Sequence, residues 1–150
     1  MSSLTGKSNS FESQILALIF QAAAIANLAD NAASSPLTSL YVALHTADPT
    51  TAGNQSSSEV SYTGYARVAV VRSSSGWTIS GSAPTIVVNA NSIAFPVCTG
   101  GSATATWFSI GTGPSGAGTI LYGGQLGSPL AISSGITPTI GAGALEVTEE

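Results

Sequence analysis

The chain has 150 residues, 43% of them hydrophobic and only 7% charged, with a formal net charge of −4. An ordinary soluble domain is about 25% charged, and a surface this poor in charge is weakly protected against self-association. Much of it is therefore expected to be covered by partners. The only lysine and arginines are Lys7, Arg67 and Arg72, too few to neutralise phosphates along a nucleic acid. The single cysteine, Cys98, can form no internal disulfide and offers no metal-ligand spacing. The length suits one domain over 1–150 with a core of its own.

Residues 1–10 are polar. Asn9 followed by Glu12 suits a capping box, with Asn in place of Ser or Thr. Phe11, Ile15, Leu18, Ala22, Ile25 and Ala29 then recur at spacings of four and three, which predicts a helix over 11–29. Leu16, Ile19, Phe20 and Leu28 widen the apolar surface, and only Gln21 and Asn27 interrupt it. A helix so apolar is expected to be buried on more than one side, and Phe11, Ile15, Leu18 and Phe20 are its candidate interface residues. Asp30-Asn31 and Pro36 end it. The run is too short and too broken for a membrane span. A signal peptide is the closer rival, because Lys7, the apolar run and Ala24-Ile25-Ala26 imitate its three parts. Glu12 ahead of the run and Gln21 within it argue against that.

The stretch from Leu40 to Val71 reads as strand, polar loop, strand. Leu40, Val42 and Leu44 alternate with Tyr41, Ala43 and His45, one apolar face down. Asp48-Pro49 stops the strand. The loop from Thr50 to Ser58 has almost no apolar area to offset the entropy of fixing it, so it is expected to be mobile in the isolated protein. Tyr65, Arg67 and Ala69 then alternate with Ala66, Val68 and Val70. Short strand-like runs follow at Trp77–Ser80, Ile86–Val88, Ser92–Phe95, Thr104–Ile110, Thr119–Tyr122, Leu130–Ile132, Ile136–Ile140 and Ala144–Val147, separated by Gly, Pro and Asn. This pattern predicts a mainly β fold, an antiparallel β-sandwich of jelly-roll type over 38–150 behind one N-terminal α-helix.

Chemistry is sparse. Gly111-Thr112-Gly113-Pro114-Ser115-Gly116 has the spacing of a dinucleotide loop but no βαβ setting, and a hairpin turn explains it better. His45 and Asp48 lack a serine elbow to complete a triad, so His45 reads as a hydrogen-bonded structural residue. Cys98 reads as a small packed side chain. Arg67 and Arg72 are expected to pair with Glu59, Asp48 or a neighbouring subunit. Trp77 and Trp107 are expected in the core. No catalytic residue, cofactor or metal is expected.

LYVALHTADP, SEVSYTGYARVAV and the pattern GAGTILYGG…ISSGITPTIGAGALEVTE together resemble a family of small tailed-bacteriophage virion structural proteins. The resemblance runs from about Phe11 onward. It implies an all-β virion component without enzymatic activity, assembled in the host cytoplasm. Two roles fit. The first is a capsid decoration (cement) protein, a homotrimer bound to the major capsid protein on the outer shell, without nucleic acid or membrane partners. The alternative is a tail-fibre or receptor-binding module recognising a host glycan.

Overall fold

The computed structural model describes residues 8–25, 28–29, 36–82 and 84–149. Among them are one α-helix, α1 (Asn9–Gln21), and nine strands: β1 (Ser39–His45), β2 (Val68–Val71), β3 (Trp77–Gly81), β4 (Thr85–Asn89), β5 (Ile93–Ala94), β6 (Ser102–Gly111), β7 (Ile120–Ser133), β8 (Thr139–Ile140) and β9 (Glu146–Glu149). A single 3₁₀ turn, Thr50–Ala52, lies between β1 and β2. The fold is mainly β and antiparallel with one helix, the class that the short alternating runs predict. The chain divides into two compact units. The first comes from Met1–Thr38, Val71–Ser92 and Gly141–Glu150, and the second from Ser39–Val70 and Ile93–Ile140.

In the first unit α1 accompanies an antiparallel sheet in the order β3-β4-β9. The helix starts two residues before Phe11, and its cap lies one residue before the expected Asn9. Ser8 is still extended, at φ −78° and ψ 149°, and its Oγ accepts the Phe11 amide at 3.3 Å, so Ser8 and not Asn9 is the cap. The helix also stops well short of Ala29. Ala22 turns left-handed at φ 56°, and its amide bonds back to the Ala17 carbonyl. The carbonyls of Leu18 and Ile19, which would otherwise seek a further helical turn, each accept from the Arg72 guanidinium at 2.6 Å. Beyond them Ile25 and Ala29 exchange two backbone hydrogen bonds, of 2.7 and 2.9 Å. The apolar periodicity runs on to Ala29, but a distant guanidinium ends the helix. The proposed stop at Asp30-Asn31 lies outside the described residues.

The buried face of α1 is Glu12, Leu16 and Phe20, one per turn. Phe20 meets Trp77 edge-on with ring centroids 4.8 Å apart, a favourable aromatic geometry. Asn89 locks the far end of β4. Its Oδ1 accepts the Leu145 amide at 2.9 Å, and its Nδ2 donates to the carbonyls of Asn91 and Gly141 at 2.8 Å each.

The second unit holds a four-stranded antiparallel sheet, β2-β1-β6-β7, and the short pair β5-β8. β1 is central, and every residue from Val42 to His45 is buried. The simple alternation read from the sequence therefore covers only its first half, because a central strand can bury both faces. β7 joins two runs that the sequence shows as separate strands. Ala105 pairs with Leu130 and Trp107 with Gln125, so Leu126–Pro129 bulge out opposite Thr106 alone. The glycine-rich segment 111–118 is the turn between β6 and β7, as a hairpin reading predicts. Trp77 is fully buried, whereas Trp107 is only half-buried on β6. Trp107 is therefore not the core residue expected.

Candidate functional site

The second unit is organised around a buried polar cluster built from loop 54–59, the ends of β1 and β6, the segment before β2 and the turn after β6. Arg67 sits at its centre with a side chain 2% exposed, facing Glu59 at 18%. All five guanidinium hydrogens are used. Nε donates to Glu59 Oε1 at 2.7 Å and Nη2 to Oε2 at 2.8 Å, a bidentate pair. Nη2 also donates to the Gly116 carbonyl at 2.6 Å, and Nη1 to the Gly113 carbonyl at 2.8 Å and more weakly to Gln55 Oε1 at 3.5 Å. The Glu59 hydrogen bonds hold the Arg67 pKa above its ordinary value, with burial opposing them. The sequence-based pairing of Arg67 with Glu59 is correct. Arg72, in the other unit, instead donates to the carbonyls of Leu18, Ile19 and Leu37. Asp48 binds the Thr50 amide and hydroxyl at 2.9 and 2.6 Å, and these bonds lower its pKa.

Tyr65 extends the cluster upward. Its hydroxyl donates to Glu59 Oε1 at 2.9 Å and accepts the Leu44 amide at 3.1 Å, and burial pushes its pKa up. Its ring stacks on Phe95 and meets Tyr62 edge-on. These inward-turned side chains explain why strand pairing begins only at Val68 and not at Tyr65.

Gln55, which is fully buried, extends it downward. Its amide nitrogen donates to the Tyr41 carbonyl at 2.9 Å, and its oxygen accepts the Gly113 amide at 3.1 Å. A Cβ on Gly118 would lie 2.6 Å from that oxygen, and one on Gly111 would strike the same side chain. The two glycines that bracket the turn are there to seat Gln55. The backbone of Gln55 bonds to Gly118, Ser58 accepts from Thr46, and Asn54 Oδ1 gathers Ser56 and Ser57. A loop without apolar anchors is thus tied down by polar ones.

His45 and Ser109 lie beneath, both fully buried. His45 Nδ1 is 2.8 Å from the Ser57 carbonyl, which can only accept. Nδ1 therefore carries the proton, and Nε2 accepts from Ser109 Oγ at 2.8 Å. Burial lowers the His45 pKa, with Glu59 and the Ser57 bond opposing and Arg67 reinforcing. A hydroxyl donating to an oriented imidazole is the geometry of an activated nucleophile. Here Ser109 has no exposed surface through which a substrate carbonyl could reach it, and the pair instead neutralises two buried polar groups. The structural role expected of His45 is the one found.

A cleft of about 200 Å³ opens beside the cluster, lined by Glu59, Tyr65, Ala66, Arg67, Pro114, Ser115 and Gly116. Its charged atoms are already engaged with one another. Among the described residues, no group of three His, Cys, Asp or Glu could hold a metal ion. Nothing in the sequence marked Gln55 or Ser109 as central, because apart from Arg67 their partners lie 54 or more positions away or on backbone atoms. Of the four candidate interface residues, Phe20 is fully buried against Trp77. Phe11, Ile15 and Leu18 are half-buried and lie off the helix face that packs inward.

A profile of the family described as "Podophage GP4 fiber I protein gp80" matches residues 7–148. No curated protein matches the chain.

Proposed function

Since the chain belongs to the podophage GP4 fiber I protein gp80 family, and is thus a phage virion structural protein, we propose that it is a non-enzymatic component of a tail fibre. The observation that carries this reading is the extent of the match, which takes in both compact units and the whole Arg67 cluster. The family description favours a fibre over the capsid decoration role, and this reading proposes no contact with the major capsid protein. The chemistry of the cluster supports a scaffold. Its buried polar groups are spent on each other and on backbone carbonyls, which fixes two loops in place and leaves no free charge facing the cleft.

The assembled form is proposed to be a homotrimer, with Phe11, Ile15 and Leu18 contributing to contacts between subunits. Phe20 is left to the core. Leu18→Asp should then weaken assembly more than it weakens the fold, because a charge buried without a partner is costly. Equal loss of both would remove α1 from the interface.

Gold-labelled antibody against the chain, applied to intact particles, tests the main reading. Label at the tail is the expected result. Label spread over the shell, with a copy number near that of the capsid subunit, would overturn it in favour of decoration.

A further inference from the structure

From Ser73 to Leu145 the sequence has no Asp, Glu, Lys, Arg or His. Every strand from β3 to β8 therefore lacks the charges that usually protect an exposed sheet edge from pairing with another chain. The free edges nevertheless differ. β9 carries Glu146 and Glu149 in its sequence, and β2 is flanked by Arg67 and Arg72. β3 is accompanied by α1, whose Gln21 side chain donates to the Trp77 carbonyl at 3.2 Å. β5 and β8 have two residues each, too short to template a partner.

β7 is the exception. Its first residue is occupied, since the Ile120 amide donates to the Gly53 carbonyl at 3.2 Å. Beyond that point it is the outermost strand of its sheet. Among the described residues, no backbone group from outside the sheet bonds to it between Gly124 and Ile132. Ala131 and Ser133 are exposed, as is Leu121 near its start.

We propose that the outer edge of β7 around Leu130–Ser133 is a self-association surface, on which a strand of a second copy pairs. Each copy carries a net charge of −4, yet none of that charge lies on β7. Two copies can therefore approach through this edge without opposing like charges, which destabilise a cross-strand pair. A charged partner would find no ion pair here. The bulge at Leu126–Pro129 limits the template, because Pro129 has no amide hydrogen to donate. The pairing is thus confined to one side of the bulge, and it yields a finite contact instead of a sheet that keeps growing. The inference is independent of where in the particle the protein sits.

Sedimentation of the full chain over a concentration series tests it, comparing wild type with Ala131→Lys/Ser133→Lys and with Ser74→Lys, a change at an exposed position of the turn before β3. Wild type and Ser74→Lys should associate alike. The double-lysine variant should associate roughly tenfold more weakly or worse, with an unchanged urea midpoint showing that it is folded. A monomeric wild type would overturn the proposal. So would a folded double-lysine variant that associates as well as wild type, or a Ser74→Lys variant that loses association to the same degree.

Discussion

Arg67 and Arg72 are close in sequence and serve different units by different means. Arg67 holds a carboxylate bidentately and two turn carbonyls besides, so its charge is matched by Glu59 within the second unit. Arg72 reaches three backbone carbonyls, two of them in the last turn of α1, where the helix dipole concentrates partial negative charge. Burial accordingly lowers the Arg72 pKa, while that of Arg67 is raised. In a chain with so little charge, both cations serve to collect backbone oxygens that no ladder or helix could satisfy.

Removing each cation is the most direct way to break the comparison. Arg67→Met leaves a largely buried Glu59 without its partner, and loss of one member of such a pair costs about 3–5 kcal/mol. Urea unfolding should show this as the largest loss of any single change in the cluster. Adding Glu59→Gln to that variant should recover part of it, because the stranded charge is then gone. Arg72→Met strands the carbonyls of Leu18, Ile19 and Leu37. Its cost should be nearer 1–3 kcal/mol, the range for buried acceptors left unpaired, with helical circular dichroism falling alongside. Equal losses for the two arginines would mean that stranding Glu59 costs no more than stranding the carbonyls at the end of α1.

Acid should distinguish the units as well. His45 lies in the second unit, and burial holds its folded pKa below the ordinary value of 6.5. The unfolded chain therefore binds its proton first. Stability from this residue is fully present above that value and falls as the pH drops toward the folded pKa, by up to about 1.4 kcal/mol per pH unit. Unfolding free energies measured down through that window should show the slope in wild type and a flatter one in His45→Gln. The smallest effect belongs to the first unit, where Ser8→Ala removes the helix cap at a cost of about 1 kcal/mol, read from the same urea curves.

Much of the architecture is legible in the sequence because it is local. Alternation around Val42, Ile86 and Thr106, and the glycines from 111 to 118, locate strands and a hairpin turn through period and turn chemistry. The end of α1 is not legible, since Arg72 sets it from far along the chain. The same holds for the cluster. Arg67 and Glu59 can be paired by scarcity, because few opposite charges exist, whereas Gln55 and Ser109 are ordinary polar residues in a Ser-rich context. Their importance comes from burial against Gly111, Gly118 and His45, which only the folded chain brings together. The same reasoning corrects the loop from Thr50 to Ser58. Counting apolar area makes it mobile, but counting hydrogen bonds makes it fixed.

Amide hydrogen exchange at Gln55 and Gly113 tests that last point most directly. The Gln55 amide donates to Gly118 and the Gly113 amide to the Gln55 side chain, so both report whether the loop and the turn are held as one. Both should be strongly protected in the isolated wild-type protein and should lose that protection in Arg67→Met, while the Asn89 and Leu145 amides of the other unit keep theirs. Rapid exchange of Gln55 and Gly113 in wild type, or protection that survives the loss of Arg67, would contradict the view that this one guanidinium holds the two loops together.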